Sequence, residues 1–371
     1  KTFLDKSRTK ENFSLARGYI AGLLTKHPEF SDEFNHQLNE LEKSFPEVAY
    51  ELFMASWKAT NAIERTIKLI KSNKLDPRFI RGLLFGEIRK EIGIENLKFI
   101  FNLCIELIKG KEREQDGIKM GIELILGFYE ETEDKMKKKL KIEESLLSTI
   151  WEYLEILSEK LNYSYDSEIY WWSKILHSLF EKKPQLASKL ITNGLLSGDL
   201  RMEEASTKLL AELIKENSKI ILDALSEKMK DLEKKTRFFL GDFKSIFKNL
   251  TVEDFKIWIM EQGVEGARLI ARHLPIPFVE DEKPVVPEIT LFVLEQFDDE
   301  RVFREFSAGI HLLKFYSGNI SAKHYEEAKL AKYFFDHPNS KIRKWAKAEF
   351  KSANHFAEKW KQIEEEDDLP K

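Results

Sequence analysis

The sequence has little glycine or proline. Its 371 residues include 16 glycines and 10 prolines, well below ordinary usage. This scarcity excludes a collagen-like chain and argues against a mostly-β protein, which needs many turn glycines. The apolar content of 42%, with 27 phenylalanines, supplies enough core material to exclude a disordered chain. The composition therefore favours helices.

Cysteine and long apolar runs are also scarce. The single cysteine, Cys104, excludes an internal disulfide framework and any metal site built from several cysteines. It lies in the apolar run from Phe99 to Ile105, which is typical of a buried structural thiol. No apolar run is long enough to span a bilayer, and the N-terminal stretch is charged, so we expect neither a membrane span nor a signal peptide. These features favour a cytoplasmic location. Because Lys1 stands where a methionine would begin a chain, we expect a trimmed chain or a fragment.

The sequence also lacks a strong charge imbalance and the common catalytic motifs. Its 60 basic and 64 acidic residues give a net charge of −4, whereas dedicated nucleic-acid binders usually carry a basic excess. The chain contains no phosphate-binding glycine loop, no His-x-x-x-His pair and no recognisable nucleophile elbow. We therefore predict no enzymatic activity, no catalytic residues, no cofactor and no metal site.

Apolar residues recur at helical spacing nearly everywhere. From Arg89 to Lys109 they recur largely at steps of three and four, and Thr251 begins a capping-box pattern ahead of another apolar run. Glycine pairs four residues apart lie on one face of a helix, and we expect them to mark close helix stacking. These pairs are Gly18/Gly22, Gly82/Gly86 and Gly194/Gly198. The pattern predicts an all-α protein.

A cluster of prolines interrupts the helical pattern. The segment from Leu274 to Pro287 contains Pro275, Pro277 and Pro284 besides its last residue, together with an acidic tract. Proline disfavours helix there. We therefore predict a helical-repeat region over 1–273, a proline-rich acidic connection over 274–290, and a C-terminal helical block with an acidic tail over 291–371.

The C-terminal block carries a resemblance to a known repeat. The stretch from Asp336 to Ala346, DHPNSKIRKWA, resembles the turn and second-helix start of a HEAT repeat, and Asp298 to Arg304 is similar to it more loosely. This resemblance implies a HEAT-like α-solenoid of antiparallel helix pairs, broken by the proline-rich loop. The region from Ala271 to Ala346 also resembles C-terminal helical regions of large bacterial multidomain proteins, namely antiphage STAND-type NTPases and sirtuin-type NAD-hydrolysing defence proteins. That resemblance implies a recognition or assembly role, with any enzymatic effector elsewhere.

An aromatic cluster is the candidate binding site. Tyr163, Tyr165, Tyr170, Trp171 and Trp172 lie close together in the sequence. Successive side chains on a helix point about 100° apart, so the two tryptophans cannot share one core seam. We predict a protein contact at Tyr165, Trp171 and Trp172, because tryptophan is enriched at interface hot spots. The alternative is a helix that packs on both sides and buries both indoles.

Two charged clusters have plainer interpretations. The basic run from Lys135 to Lys141 is suited to phosphate contacts, but it directly follows the acidic run from Glu130 to Asp134, which favours a solvated turn. The cluster from His324 to Glu327 favours a solvated helix face with Tyr325 packed inward.

These observations predict a non-enzymatic protein-recognition or scaffold module, cytoplasmic and part of a larger bacterial system, with antiviral defence as its setting. The alternative is a nucleic-acid-binding HEAT-like repeat protein that uses a local basic stripe. We expect a protein partner ahead of a nucleic acid, and no membrane.

Overall fold

Helices dominate the fold. The computed structural model describes residues 10–110, 112–131, 138–233, 246–247, 249–280, 283–311 and 319–367. Its α-helices, in chain order, are α1 Lys10–Lys26, α2 Ser31–Ser44, α3 Pro46–Met54, α4 Ala62–Lys71, α5 Ile94–Lys109, α6 Glu114–Leu126, α7 Glu144–Lys160, α8 Asp166–Phe180, α9 Pro184–Leu195, α10 Leu200–Glu233, α11 Val252–Ala271, α12 Glu288–Gln296, α13 Glu300–His311, α14 Ile320–Lys332 and α15 Ser340–Asp367. The predicted all-α class is confirmed, and the many helices are compatible with a helical repeat region. The HEAT-like solenoid arrangement stays a prediction.

Shorter elements connect these helices. The 3-10 helices are Pro28–Phe30, Pro77–Leu84, Glu87–Glu91 and Tyr163–Tyr165. Two small antiparallel pairs complete the described elements, β1 Tyr129–Glu131 with β2 Lys138–Leu140, and β3 Phe278–Glu280 with β4 Lys283–Val285. None of the helices in the described ranges is both long and apolar enough to cross a membrane.

The chain forms two compact units, Lys1–Leu161 and Asn162–Lys371. The proline-containing segment 274–290 lies inside the second unit. As expected from its prolines it is not helical between α11 and α12; it contains β3 and β4 instead. The Thr290 hydroxyl donates to the Pro275 carbonyl (2.5 Å), so the segment is fastened where α12 begins. The division into 1–273, 274–290 and 291–371 stays a prediction.

In the first unit, α6 packs closely against α5 and against the Tyr153 side chain of α7, because two of its residues have no side chain. A Cβ at Gly117 would lie 2.5 Å from the carbonyl oxygen of Cys104 on α5, and one at Gly121 would lie 2.2 Å from the Tyr153 ring on α7. The Tyr153 hydroxyl donates to the carbonyl of Ile118 (2.7 Å). Cys104 is fully buried, as its apolar surroundings predict, and burial raises the pKa of its thiol.

The predicted glycine pairs behave differently. A Cβ at Gly18 or Gly22 would meet no described atom within 4 Å, so the expectation of close helix stacking is wrong for this pair. Gly86 and Gly198 have positive φ angles of 67° and 82°, which place them in turns that disfavour other residues. The first glycine of each of the other two pairs does mark close packing, because a Cβ at Gly82 would overlap the Tyr50 hydroxyl and one at Gly194 would lie 2.5 Å from the Ser206 hydroxyl. In α6, both glycines of a four-residue pair, Gly117 and Gly121, lie in close contacts.

In the second unit, the segment that resembles a HEAT turn folds around the start of α15. The Asn339 side chain accepts a hydrogen bond from the backbone N–H two residues further on (2.8 Å). Ile342 is fully buried. Arg343 donates to the carbonyls of His337 (2.6 Å) and Pro338 (2.7 Å). Asn339 therefore caps α15, and Arg343 binds the turn that directly precedes this helix.

Candidate functional site

The aromatic cluster lies at the start of α8. Asn162 begins the preceding 3-10 turn, where its side chain accepts a hydrogen bond from the backbone N–H of Ser164 (3.0 Å). Tyr165 ends this turn and is partly buried. Asp166 and Glu168 lie in the first turn of α8, where acidic residues are favoured by the helix dipole. Tyr165 therefore directly precedes α8, as the N-cap residue of this helix.

The two tryptophans face opposite environments, as their 100° separation predicts. Trp172 is 0% exposed, whereas Trp171 is 39% exposed. Trp172 packs against α9 at Gly194, where an added Cβ would lie 2.9 Å from the indole. The predicted role of Trp172 in a surface contact is therefore corrected: its ring belongs to the core. Trp171 remains a candidate for the contact.

Trp171 does not stand alone on the surface. Its ring meets the Tyr170 ring edge-on, with centroids 5.0 Å apart and planes at 71°, and Tyr170 is 53% exposed. The ammonium of Lys174 lies 5.8 Å from the centre of the Tyr170 ring. We call Tyr170 and Trp171 the aromatic ledge. Tyr170 was missing from the predicted contact residues, although the buried stripe of α8 through Ile169 and Trp172 turns position 170 outward.

A groove of about 490 Å³ runs beside the ledge between α8 and α10. The charged, aromatic and imidazole side chains along it are Asp166, Tyr170, Lys174 and His177 on α8 and Arg201, Glu204, Lys208 and Glu212 on α10. Two contacts cross it, an ion pair between Asp166 and Arg201 (3.7 Å) and a contact between the His177 imidazole and the Glu212 carboxylate (3.9 Å). Both pairs join residues with the same separation in sequence, so the two helices run side by side in the same direction.

Charges along the α10 wall alternate in sign. Glu204 and Lys208 form an ion pair of 2.7 Å, and the hydrogen bond from Lys208 lowers the pKa of Glu204. Arg201 and Glu212 extend the alternation on either side, and all four side chains are more than half exposed. The break in α10 at Asn217 comes after this row. The groove therefore presents balanced charges beside an exposed aromatic pair.

This arrangement is suited to contact with another molecule. Aromatic rings that are rigidly held and partly exposed supply apolar contact area at low entropic cost. Charged side chains around them fix orientation and exclude wrong partners. Within the described residues, no group of three or more histidine, cysteine, aspartate or glutamate side chains is placed to hold a metal ion.

A second polar cluster lies in the C-terminal helices. His311 on α13 bonds through Nδ1 to Glu327 on α14 (2.9 Å) and through Nε2 to Glu349 on α15 (2.8 Å). The hydrogen bonds to Glu327 and Glu349 raise the pKa of His311 to about 9. His324 also bonds to Glu327 (2.8 Å). The cluster fastens three helices together.

The expectation of a solvated face from His324 to Glu327 is therefore wrong. Glu327 is 1% exposed, because α13 supplies it with a partner at His311 that lies far away in the sequence. Burial raises the pKa of Glu327, but the hydrogen bonds from His311 and His324 outweigh it and leave the value lowered. Tyr325 points to the surface, where its hydroxyl donates to Glu358 (2.6 Å).

The basic run that favours phosphate binding is only partly described, since residues 135–137 lie outside the described ranges. The register of the first hairpin places Glu130 opposite Lys139 and Glu131 opposite Lys138.

No protein-family model matches this chain, and no curated protein matches it.

Proposed function

We propose that the chain is a non-enzymatic protein-recognition or scaffold module that binds its partner through the aromatic ledge and the adjoining groove. The observation that carries this proposal is the pair Tyr170 and Trp171, two neighbouring rings in mutual contact that remain exposed at the surface. Tyrosine and tryptophan dominate interface hot spots. The proposal includes a HEAT-like repeat arrangement, a cytoplasmic location and a place in a larger bacterial system such as an antiviral one.

The groove supports a protein partner over a nucleic acid. Its α10 wall alternates between basic and acidic side chains, with Glu204 and Glu212 among them. A phosphate backbone would meet a carboxylate at every second position, whereas nucleic-acid binders use a continuous basic surface. A protein surface, which carries both signs of charge, fits such a wall.

Site-specific photo-crosslinking in cells tests this proposal. A photoreactive phenylalanine analogue replaces Tyr170 in one variant and Tyr19, an exposed aromatic residue in the first unit, in a matched control. We expect a discrete protein adduct, identified by mass spectrometry, from position 170 and none from position 19.

Two outcomes contradict the proposal. Equal labelling from both positions would mean that the ledge carries no specific contact. A nucleic-acid adduct at position 170 would replace the protein partner with the alternative function.

A further inference from the structure

The charged residues on the α10 wall form a row that is complementary in sign to the same row in an antiparallel second copy of the helix. In chain order, the row is positive at Arg201, negative at Glu204, positive at Lys208 and negative at Glu212. These residues lie on one face of the helix over about 16 Å. In an antiparallel second copy, Arg201 faces Glu212 and Glu204 faces Lys208, so that every contact joins opposite charges.

The charges on the α8 wall are also complementary to those of an antiparallel copy, and the midpoint of this row lies at about the same height along the groove. Reversal places Asp166 opposite Lys174, and the level midway between them is Tyr170. The midpoint of the α10 row is Ser206. The cross-groove pairs Asp166–Arg201 and His177–Glu212 align position 171 of α8 with position 206 of α10. A single two-fold axis that crosses both helices therefore brings opposite charges together on both walls.

We propose that the partner bound at this surface is a second copy of this chain, related by a two-fold axis that crosses α8 near Tyr170 and α10 near Ser206. The inference rests on the proposed protein-binding role of the ledge. In the pair, α10 lies antiparallel to α10 and α8 antiparallel to α8. The Tyr170 rings of the two copies meet close to the axis, and the existing Asp166–Arg201 ion pair joins a network of four charges.

The symmetry makes a charge-exchange experiment decisive. Arg201→Glu places two carboxylates opposite each other twice in every dimer, and Glu212→Arg does the same with two guanidinium groups. We expect either variant alone to weaken self-association at least about tenfold, as like charges do at an interface. An equimolar mixture of the two variants restores opposite charges at both contacts between positions 201 and 212 of the two copies, and should dimerise much more tightly than either variant alone.

Sedimentation equilibrium of the full chain over a wide concentration range measures the self-association of the wild type, of each variant and of the mixture. The matched control is Arg304→Glu, at an exposed arginine on α13, and should leave self-association unchanged. Circular dichroism checks that each variant keeps its helix content. Since both variants change only exposed side chains, we expect them to fold.

The inference is overturned if the wild type stays monomeric at every concentration, or if it dimerises and the two variants do not weaken it. It is also overturned if the variants weaken dimerisation and their mixture does not restore it, because the contacts then differ from those of the two-fold arrangement. A monomeric wild type whose position 170 still crosslinks to another protein would reject self-pairing and support the proposed function. A monomer with no adduct would reject both.

Discussion

The indole of Trp172 occupies the space that a side chain at residue 194 would need, because a Cβ on Gly194 would lie 2.9 Å from its ring. This contact joins α8 to α9 and fixes which of the two tryptophans points into the core. It also turns Trp171, the next residue back along the chain, toward the surface beside Tyr170. The position of the aromatic ledge is thus set by a glycine on a neighbouring helix.

The two tryptophans should differ sharply in their effect on stability. Trp172→Ala removes a fully buried ring and should lower the free energy of unfolding by about 3–5 kcal/mol. Trp171→Ala removes a partly exposed ring and should change it by much less. Urea unfolding followed by circular dichroism measures both. Equal losses would mean that Trp171 is also a core residue and would remove it from the proposed contact.

Glycine-to-alanine substitutions at two helical positions should change the free energy of unfolding in opposite directions. Gly121→Ala drives a methyl group into the Tyr153 ring and should destabilise the protein by about 1–3 kcal/mol, as overpacking does. Gly18→Ala adds a methyl group in open space on α1 and should stabilise it by roughly 1 kcal/mol through helix propensity. Thermal or urea unfolding of both variants shows whether each one is more or less stable than the wild type. A stabilising Gly121→Ala would contradict the close packing of α6 against α7.

The histidine cluster should make stability depend on pH on the alkaline side. The hydrogen bonds to Glu327 and Glu349 raise the pKa of His311 from its ordinary value near 6.5 to about 9. A histidine whose folded-state pKa is raised contributes stability that is fully present below the unfolded value and is lost as the pH rises through the folded value. Stability should therefore fall between about pH 6.5 and pH 9 as this contribution disappears.

His311→Gln should abolish that part of the pH profile, because glutamine does not titrate. His355→Gln, at an exposed histidine on α15, serves as the matched control and should keep the wild-type profile. Urea unfolding at a series of pH values measures the effect. An unchanged profile in His311→Gln would show that the link between α13, α14 and α15 does not depend on the imidazolium.

The single thiol should be inert while the chain is folded. Cys104 is fully buried, and burial raises the pKa of its thiol, so the reactive thiolate is scarce. Labelling with a chromogenic disulfide reagent should proceed only as fast as the protein opens, and denaturant should make it immediate. Rapid labelling of the native chain would contradict the packing of α5 against α6.

The sequence predicted the fold class because its signal is local. Few glycines and prolines, and apolar residues at helical spacing, suffice to predict helices, and the 100° step along a helix suffices to separate Trp171 from Trp172. Which ring is buried depends on Gly194, more than twenty residues away. The stripe formed by Ile169, Trp172 and Leu176 is the local signal that places Tyr170 on the outer face of α8.

Other contacts lay beyond local patterns altogether. His311 and Glu349 are brought together by the packing of three helices, and the spacing of these two residues in the sequence does not predict their contact. The glycine spacing was ambiguous for a similar reason: the same four-residue step occurs at Gly18 in open space and at Gly117 in a close contact. Only the neighbouring helix distinguishes the two cases.

The dissociation constant of the complex formed at the aromatic ledge tests most directly whether the ledge binds a protein. Trp171→Ala should weaken that complex by about 2 kcal/mol, or roughly thirtyfold in Kd, as the loss of an interface hot spot does. The same variant should unfold at nearly the wild-type temperature. The partner is the protein crosslinked at position 170, or a second copy of the chain. A Kd unchanged by Trp171→Ala, in a variant that remains folded, would contradict the account.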